Sequence, residues 1–335
     1  MSVPAISVLT SVYNAEAFVG EAIESVLAQD FAGFEFLIVD DRSTDATARI
    51  VADHAAADPR IRIVTASAKG RVPALNALVA AARAPWLAIV DGDDVQHSGR
   101  LARQMDYLAR NPGCGVLGAE VRMVGIDGAP IERPPFTRPL DDAGIRANLE
   151  IGAQLSHNAC VISRDAMCAV GGYRPAYRHA EDYDLWLRLS EVTTMANLPD
   201  RLVDYRIYPD QVSSRHVVEQ MRNTAIGWLA HRERVAGRAD PTDGFDAMPP
   251  LSELDTLFGP GAAAYVRRRV LDRVIYSPEA LGGDAWDILI GHIHEDNSRD
   301  ERLWRTAARL LRAGRPIKAG RVAAGLLGLN PGLAA

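Results

Sequence analysis

The first hundred residues alternate two hydrophobic periods. Residues 6–10 form a short apolar strand pattern, and residues 16–29 carry Phe18, Ala22, Ile23, Val26 and Leu27 at helical spacing. Residues 34–39 read as a second strand ending in Asp40 and Asp41. Ser43 is placed to cap a following helix that turns Ala46, Ile50 and Val51 inward. Residues 61–65 predict a third strand and residues 72–83 an Ala- and Leu-rich helix with Pro73 in its first turn. Residues 86–90 predict a fourth strand. Strands alternating with helices imply an α/β protein whose mostly parallel sheet is covered on both faces, with ligands bound beyond the carboxyl ends of the strands.

Further along, a helix over residues 100–110 stops at Asn111-Pro112-Gly113, and residues 114–124 look like a strand. Residues 125–140, rich in Gly and Pro, read as loop. A short strand over 159–162, a short helix over 164–170, a Gly171-Gly172-Tyr173 turn and an amphipathic helix over 181–191, with Leu185, Trp186 and Leu189 on one side, follow. Beyond about residue 215 strand signals fade and the pattern turns helical, broken at 240–250 and 277–283. The expected organisation is therefore an α/β domain over 1–215 and a helical C-terminal region over 216–335. No internal repeat is visible.

Composition narrows the class. With 48% apolar and 24% charged residues the chain reads as a globular protein, and a net charge of -6 leaves no footprint for nucleic acid. No run of 18 apolar residues occurs, and the N-terminus lacks a basic stretch before an apolar core. Three scattered cysteines, Cys114, Cys160 and Cys168, suit reduced and mostly buried thiols. These features lead to the expectation of a cytoplasmic protein. After Glu301 the chain holds Arg302, Arg305, Arg309, Arg312, Arg315, Lys318 and Arg321 and no acid. Two readings fit this segment: a packed terminal helix with a solvated basic face, or a peripheral contact with the inner face of the plasma membrane. Homo-oligomerisation stays open.

The chemistry concentrates where the fourth strand ends. Trp86-Leu87-Ala88-Ile89-Val90 runs into Asp91-Gly92-Asp93-Asp94. Three carboxylates crowded at a sheet edge repel one another unless a cation sits among them. Mg2+ or Mn2+ suits such oxygen ligands, taking few carboxylates together with substrate phosphates. The plainer reading is a solvated acidic turn.

The neighbouring motifs decide between these. They are the opening Ile6-Ser7-Val8-Leu9-Thr10-Ser11-Val12-Tyr13-Asn14; Ala22-Ile23-Glu24-Ser25-Val26-Leu27-Ala28-Gln29; Leu37-Ile38-Val39-Asp40-Asp41-Arg42-Ser43-Thr44-Asp45; Ala74-Leu75-Asn76; Gly171-Gly172-Tyr173-Arg174; and Glu181-Asp182-Tyr183-Asp184-Leu185-Trp186. In this order, from Ile6 to about Ser214, the chain resembles the family 2 glycosyltransferases of the GT-A fold, a Rossmann-like mixed sheet with helices on both faces. The resemblance implies a nucleotide-sugar-binding half over 1–110 and an acceptor-binding half over 111–215. It implies a nucleotide-diphosphate sugar as donor and a saccharide or lipid-linked saccharide as acceptor, in cell-surface polysaccharide or glycoconjugate synthesis. Ser11, Tyr13, Asn14 and Asp41 then look like donor-binding residues. Arg71, with Lys69, is a candidate for the diphosphate, and Asp40 is a candidate either for the donor or for fixing its own loop. Asp93, Asp91 and Asp94 are the implied metal ligands, Asp91 also lying against the donor. Gly92 would let the diphosphate approach closely. Asp182 is the implied base of an inverting transfer, with Asp184 as the alternative. His157, Glu181 and Arg206 are candidates for acceptor or phosphate, and His216 follows a loop of the kind that folds over donor phosphates. The Gln-x-x-Arg-Trp motif of processive members is absent. That points to transfer of a single sugar. A non-catalytic sugar-nucleotide-binding module and a sugar nucleotidyltransferase are the competing readings, the latter wanting a glycine-rich basic loop after strand one that this chain lacks.

Overall fold

A computed structural model describes residues 3–132, 138–208, 211 and 216–329. The chain divides into two units, Met1–Pro175 with Glu181–Gln211, and Ala176–Ala180 with Val212–Ala335.

The first unit opens with β1 (Ile6–Val12), α1 (Val19–Leu27), β2 (Phe34–Asp40), α2 (Thr47–Ala57), β3 (Ile61–Ile63), α3 (Arg71–Ala81) and β4 (Trp86–Ile89). It continues with β5 (Val95–Gln96), α4 (Arg100–Arg110), β6 (Cys114–Val124), α5 (Asp142–Asn148), β7 (Val161–Ser163), α6 (Arg164–Ala169), α7 (Glu181–Leu189) and β8 (Thr194–Arg206). The strands form one sheet in the order β3-β2-β1-β4-β7-β6-β8-β5. β1 pairs in parallel with β2 and β4, and β2 with β3, as strand–helix alternation requires. From β4 onward the direction changes: β7 runs antiparallel to β4 and β6, β5 runs antiparallel to β8, while β6 and β8 are parallel. The sheet is thus mixed rather than mostly parallel.

Ile6, Val8, Phe36, Ile38 and Ala88 build the core of this half with Val19, Ile23 and Val26 of α1. Each such side chain contributes about 1.5–3 kcal/mol through burial. At the end of the sheet remote from the acidic turn, the buried Glu35 carboxylate accepts from Ser7 Oγ at 2.7 Å, Arg83 N at 2.8 Å and Arg62 Nη1 at 2.7 Å. Arg100 is fully buried. Its guanidinium donates to the carbonyls of Asn158 at 2.8 Å, Ile89 at 3.0 Å and Cys160 at 3.2 Å. It thereby joins the end of β4 to the short 3-10 turn His157–Ala159, and burial pushes its pKa down to about 10.

Several local expectations change. Ser43 does not cap α2, whose N-cap is Ala46; its Oγ instead donates to Asp40 and accepts from Asn14 N–H at 2.9 Å. The loop bond wins because Asp40 lies three residues back and offers a charged acceptor. Residues 157–159 form the 3-10 turn, and the strand starts two residues late, at Val161. Cys114 and Cys160 are buried, whereas Cys168 is exposed.

The second unit adds α8 (Val217–Val235), α9 (Leu254–Phe258), α10 (Ala262–Val274), α11 (Ala285–His294), α12 (Glu301–Arg312) and α13 (Pro316–Leu326). Its core gathers Ile226, Val266, Val270, Leu289, Ile293, Leu303, Leu310 and Val322. The basic terminal segment is two helices separated at Gly314, and Leu311 is exposed rather than packed with Leu303 and Leu310. No described helix is long and apolar enough to cross a membrane.

Gly92 owes its identity to packing. A Cβ built there would lie 2.4 Å from Val12 Cγ1, so the acidic turn sits directly on β1. We expect Gly92→Ala to lower unfolding stability by about 1–3 kcal/mol through overpacking. Val12→Ala in the same chain should restore part of that loss. Denaturant titration of the two single variants and the double variant measures the coupling; additive losses would show that the two residues do not meet.

Candidate active site

The polar residues cluster where β1, β2 and β4 end. The register places Val12 beside Asp40, so the turns that follow, Tyr13-Asn14 and Asp41-Arg42-Ser43, are neighbours. Asn14 takes a left-handed backbone conformation, φ 47°. Its Oδ1 accepts from Thr44 N–H at 2.8 Å, tying the two turns together. Tyr13 is half exposed, and Lys69 Nζ lies 5.0 Å from its ring centroid. Asp41 is buried and accepts Gly70 N–H at 3.0 and 2.9 Å through its two oxygens. Asp40 accepts from Ser43 N at 3.3 Å and fixes its own loop. Ser11 is half-buried on β1 opposite Val39.

The three aspartates of the acidic turn have different surroundings. Asp91 Oδ1 accepts from Arg71 Nη2 at 2.8 Å. Burial pushes its carboxyl up, but the charge and hydrogen bond of Arg71 outweigh that and hold it below the usual range. Burial, then the charge of Asp91, pushes Asp93 up, and Tyr208 Oη donates to its Oδ2 at 2.9 Å. Asp94 is fully buried. Asn158 Nδ2 donates to its Oδ2 and Arg206 N donates to its Oδ1 at 2.9 Å. Burial and the two neighbouring acids push Asp94 well up. Both of its carboxylate oxygens are thus bonded within the protein, which braces the turn.

Asp91 and Asp93 fit a divalent cation. They lie on one turn with Gly92 between them, and burial and the charge of Asp91 disfavour ionisation of Asp93. A cation would relieve that repulsion, and a pair of carboxylates with diphosphate oxygens is a common Mg2+ set.

Arg71, at the start of α3, spans the site. Its Nε donates to Glu181 Oε1 at 2.9 Å, while Nη2 reaches Asp91 and lies 3.4 Å from His157 Nδ1. The charge of Asp91 raises its pKa further, so it is a permanent cation. Its side chain remains about two-fifths exposed, enough to meet a ligand as well. His157 Nε2 lies 2.8 Å from Tyr173 Oη, and burial followed by Arg71 lowers its pKa to about 3. A neutral ring beside Arg71 accepts at Nδ1 and donates from Nε2.

Asp182 heads α7 next to Glu181. Burial, then the Glu181 charge, pushes its pKa up to about 6. Arg71 bonds both Asp91 and the neighbouring Glu181, so one guanidinium links the acidic turn to the head of α7. Asp184 is fully buried and bound by Arg174 and by Arg188, whose Nη2 donates to Oδ2 at 2.7 Å. Two guanidiniums occupy it, which leaves Asp182 as the carboxylate suited to proton transfer.

Arg206, a candidate for phosphate or acceptor, bonds the acidic turn and its surroundings. It is buried and its nitrogens donate to Asp93 O at 2.9 Å, Ile126 O at 2.8 Å and Glu21 Oε2 at 2.7 Å. Buried guanidiniums seek such partners, and here they hold the acidic turn. Tyr208 was not singled out from sequence as a site residue. It lies just past the end of β8, two residues after Arg206, and no sequence pattern marked it. Phe18, whose ring lies 5.4 Å from that of Tyr208 and 4.9 Å from the Arg206 guanidinium, was read only as a core residue. The Gly171-Gly172 turn, with φ 76° and 74°, lets Asn76 bond both Tyr173 O at 2.8 Å and Tyr173 N at 2.9 Å. His216 belongs to the other unit. The loop expected over the donor, Tyr208 to Ser213, lies outside the described residues except for Tyr208 and Gln211.

Comparison with known proteins agrees with this geometry. Residues 7–166 match the model of glycosyl transferase family 2. EpsE of Bacillus subtilis (strain 168), a protein named as a glycosyltransferase, is 31% identical over 237 residues, covering 68% of this chain and 82% of EpsE. The teichuronic acid biosynthesis glycosyltransferase TuaG of the same organism is 27% identical, covering 69% of this chain and 88% of TuaG. Among solved structures, S. aureus TarS 1-349 in complex with UDP-GlcNAc superposes with a TM-score of 0.58 at 17% identity, covering 96% of this chain and 88% of TarS 1-349. The mannosyltransferase PcManGT of Pyrobaculum calidifontis in complex with GDP-Man and Mn2+ gives 0.52 at 17% identity, covering 98% and 88%. The chain belongs to glycosyltransferase family 2, and is an enzyme of the GT-A fold.

Proposed function

We infer that this enzyme is an inverting transferase that moves a single sugar from a nucleotide-diphosphate sugar to a saccharide or lipid-linked saccharide acceptor. The observation that carries this reading is Arg71, bonded at once to Asp91 of the acidic turn and to Glu181 beside Asp182. Donor activation and acceptor deprotonation are thereby held to one cleft. Relatives named for teichuronic acid and O-antigen biosynthesis support cell-surface polysaccharide synthesis as the setting.

In this reading Tyr13 offers its exposed face to the nucleobase. Asp41 uses the lone pairs left by Gly70 to accept a base N–H. Asn14 acts by holding the turn of Tyr13. Asp93 and Asp91 would hold Mn2+ or Mg2+, which when bound supplies charge neutralisation for the departing diphosphate. Arg71 adds a fixed cation at the same place. Asp182 takes the proton from the acceptor hydroxyl as the oxygen attacks the anomeric carbon. That carbon–oxygen bond forms as the bond to the diphosphate breaks on the opposite side. The elevated pKa of Asp182 makes it a stronger base than an ordinary aspartate.

Asp182→Asn should lower transfer by at least about 100-fold, with donor affinity within a few-fold of wild type. The sign with pH follows from the raised pKa: the base is ionised above about 6, so transfer should decline as pH falls through that value. Product formation across a pH series, alongside donor titration, checks both. Normal transfer by Asp182→Asn would remove the base assignment.

Peripheral membrane contact fits a lipid-linked acceptor. α12 presents Trp304 and Leu311, 46% and 59% exposed, beside exposed Arg305 and Arg312. Apolar side chains flanked by arginines suit an anionic bilayer. The chain should sediment with vesicles containing phosphatidylserine, less so at high salt, and Arg305→Glu with Arg312→Glu should abolish this. Equal sedimentation with purely zwitterionic vesicles would contradict it.

A further inference from the structure

The second unit contains a cluster that the transfer reaction does not use. His179, His216 and Glu219 each offer a ligand atom, all within 4.8 Å of one another. They are the described residues that meet this condition, which the acidic turn does not. His179 Nε2 lies 3.6 Å from Glu219 Oε2. That is long for a hydrogen bond. It is close to the separation two ligands keep on one ion, about 3.3–3.6 Å for metal–ligand distances of about 2.0–2.2 Å. The His179 and His216 rings stack at 4.1 Å between centroids with 11° between planes. The stack brings the two imidazoles together, and a turn of one ring about its χ2 lets a nitrogen of each face the same ion.

Two further observations set the cluster apart from chance packing. His179 takes a left-handed backbone conformation, φ 64°, which is uncommon away from glycine, histidine being among the residues that tolerate it best. The backbone is held on that side chain's approach: Tyr177 Oη bonds Thr242 Oγ1 at 2.7 Å, and Arg178 O accepts from Asn223 Nδ2 at 2.8 Å. His216 is the N-cap of α8, yet its side chain makes no capping bond; it stacks on His179 instead. Glu219 lies in the first turn of the same helix, which turns it to the same end as His216. Strain that its surroundings maintain points to a role for the residue.

We propose that His179, His216 and Glu219 form a binding site for a transition-metal ion of the zinc class, clipping the segment Ala176–Ala180 to the first turn of α8. Two imidazoles and one carboxylate favour Zn2+, Co2+ or Ni2+ over Mg2+, which prefers oxygen alone. The ligand set is distinct from the aspartate pair of the acidic turn in chemistry and in sequence. The ion bridges parts of the chain separated by 36 residues, so its binding free energy adds to the stability of this unit.

The test uses the full chain, stripped with chelator and titrated calorimetrically with Zn2+ in the absence of nucleotide. Wild type should bind a single Zn2+ and unfold at higher temperature when loaded. His179→Asn, chosen because asparagine tolerates the left-handed backbone, should bind at least about tenfold more weakly, as should His216→Ala and Glu219→Gln. Asp93→Ala should retain the site. Circular dichroism establishes that each variant is folded, and Glu219→Gln, the mildest change, decides the matter where a histidine variant fails to fold. Failure of wild type to bind Zn2+ overturns the proposal. So does unchanged affinity in folded His179→Asn or Glu219→Gln, or loss of binding in Asp93→Ala alone.

Discussion

Three carboxylates on one turn cannot share a partly buried site unless something offsets their mutual repulsion, and the architecture around Asp91-Gly92-Asp93-Asp94 is arranged to do so. Asp91 is neutralised by Arg71. Asp94 is enclosed by Asn158 and the backbone of Arg206. Asp93, with Tyr208 as its donor, keeps the repulsion that remains. The solution spreads over the unit: Arg206 arrives from the end of β8, Asn158 from the turn before β7, Arg71 from the start of α3. The antiparallel half of the sheet therefore delivers Arg206 and Asn158 to the acidic turn of the parallel half, which adds Arg71 itself.

The same arrangement divides labour among acids that look alike in sequence. Asp184 is bound by two arginines, whereas Asp182 has its pKa lifted by burial and by Glu181. Asp94 supports and Asp93 is exposed to a partner. His157 is kept neutral, so it positions Arg71 without adding a second cation. Environment, more than residue type, assigns the roles.

Much of this was legible from sequence because apolar periodicity is a local signal. α4 and β6 have the limits that their patterns predict, Arg100–Arg110 and Cys114–Val124. The ordered motifs identified the family. What was not legible depended on long-range partners. β8 escaped because Pro199, Asp200, Arg201 and Asp204 interrupt its alternation, and its pairing with β6 contains register shifts. The buried partners of Arg206 and Asp94 carried no signal, because they come from distant parts of the chain. Gly92 seemed to serve the diphosphate, whereas Val12 on a neighbouring strand accounts for it. Arg100 carried no signal at all: its three carbonyl partners lie on β4 and beside β7.

The central claim is that a diphosphate held at the acidic turn faces Asp182 across a cleft spanned by Arg71. A crystal structure of the chain with Mn2+ and a nucleoside diphosphate tests it most directly. The account predicts a manganese anomalous peak at ligand distance from Asp93, the terminal phosphate beside Arg71, and Asp182 on the opposite wall with room for a sugar between. A diphosphate bound away from Asp93, or Asp182 opening into a separate hollow, would contradict it.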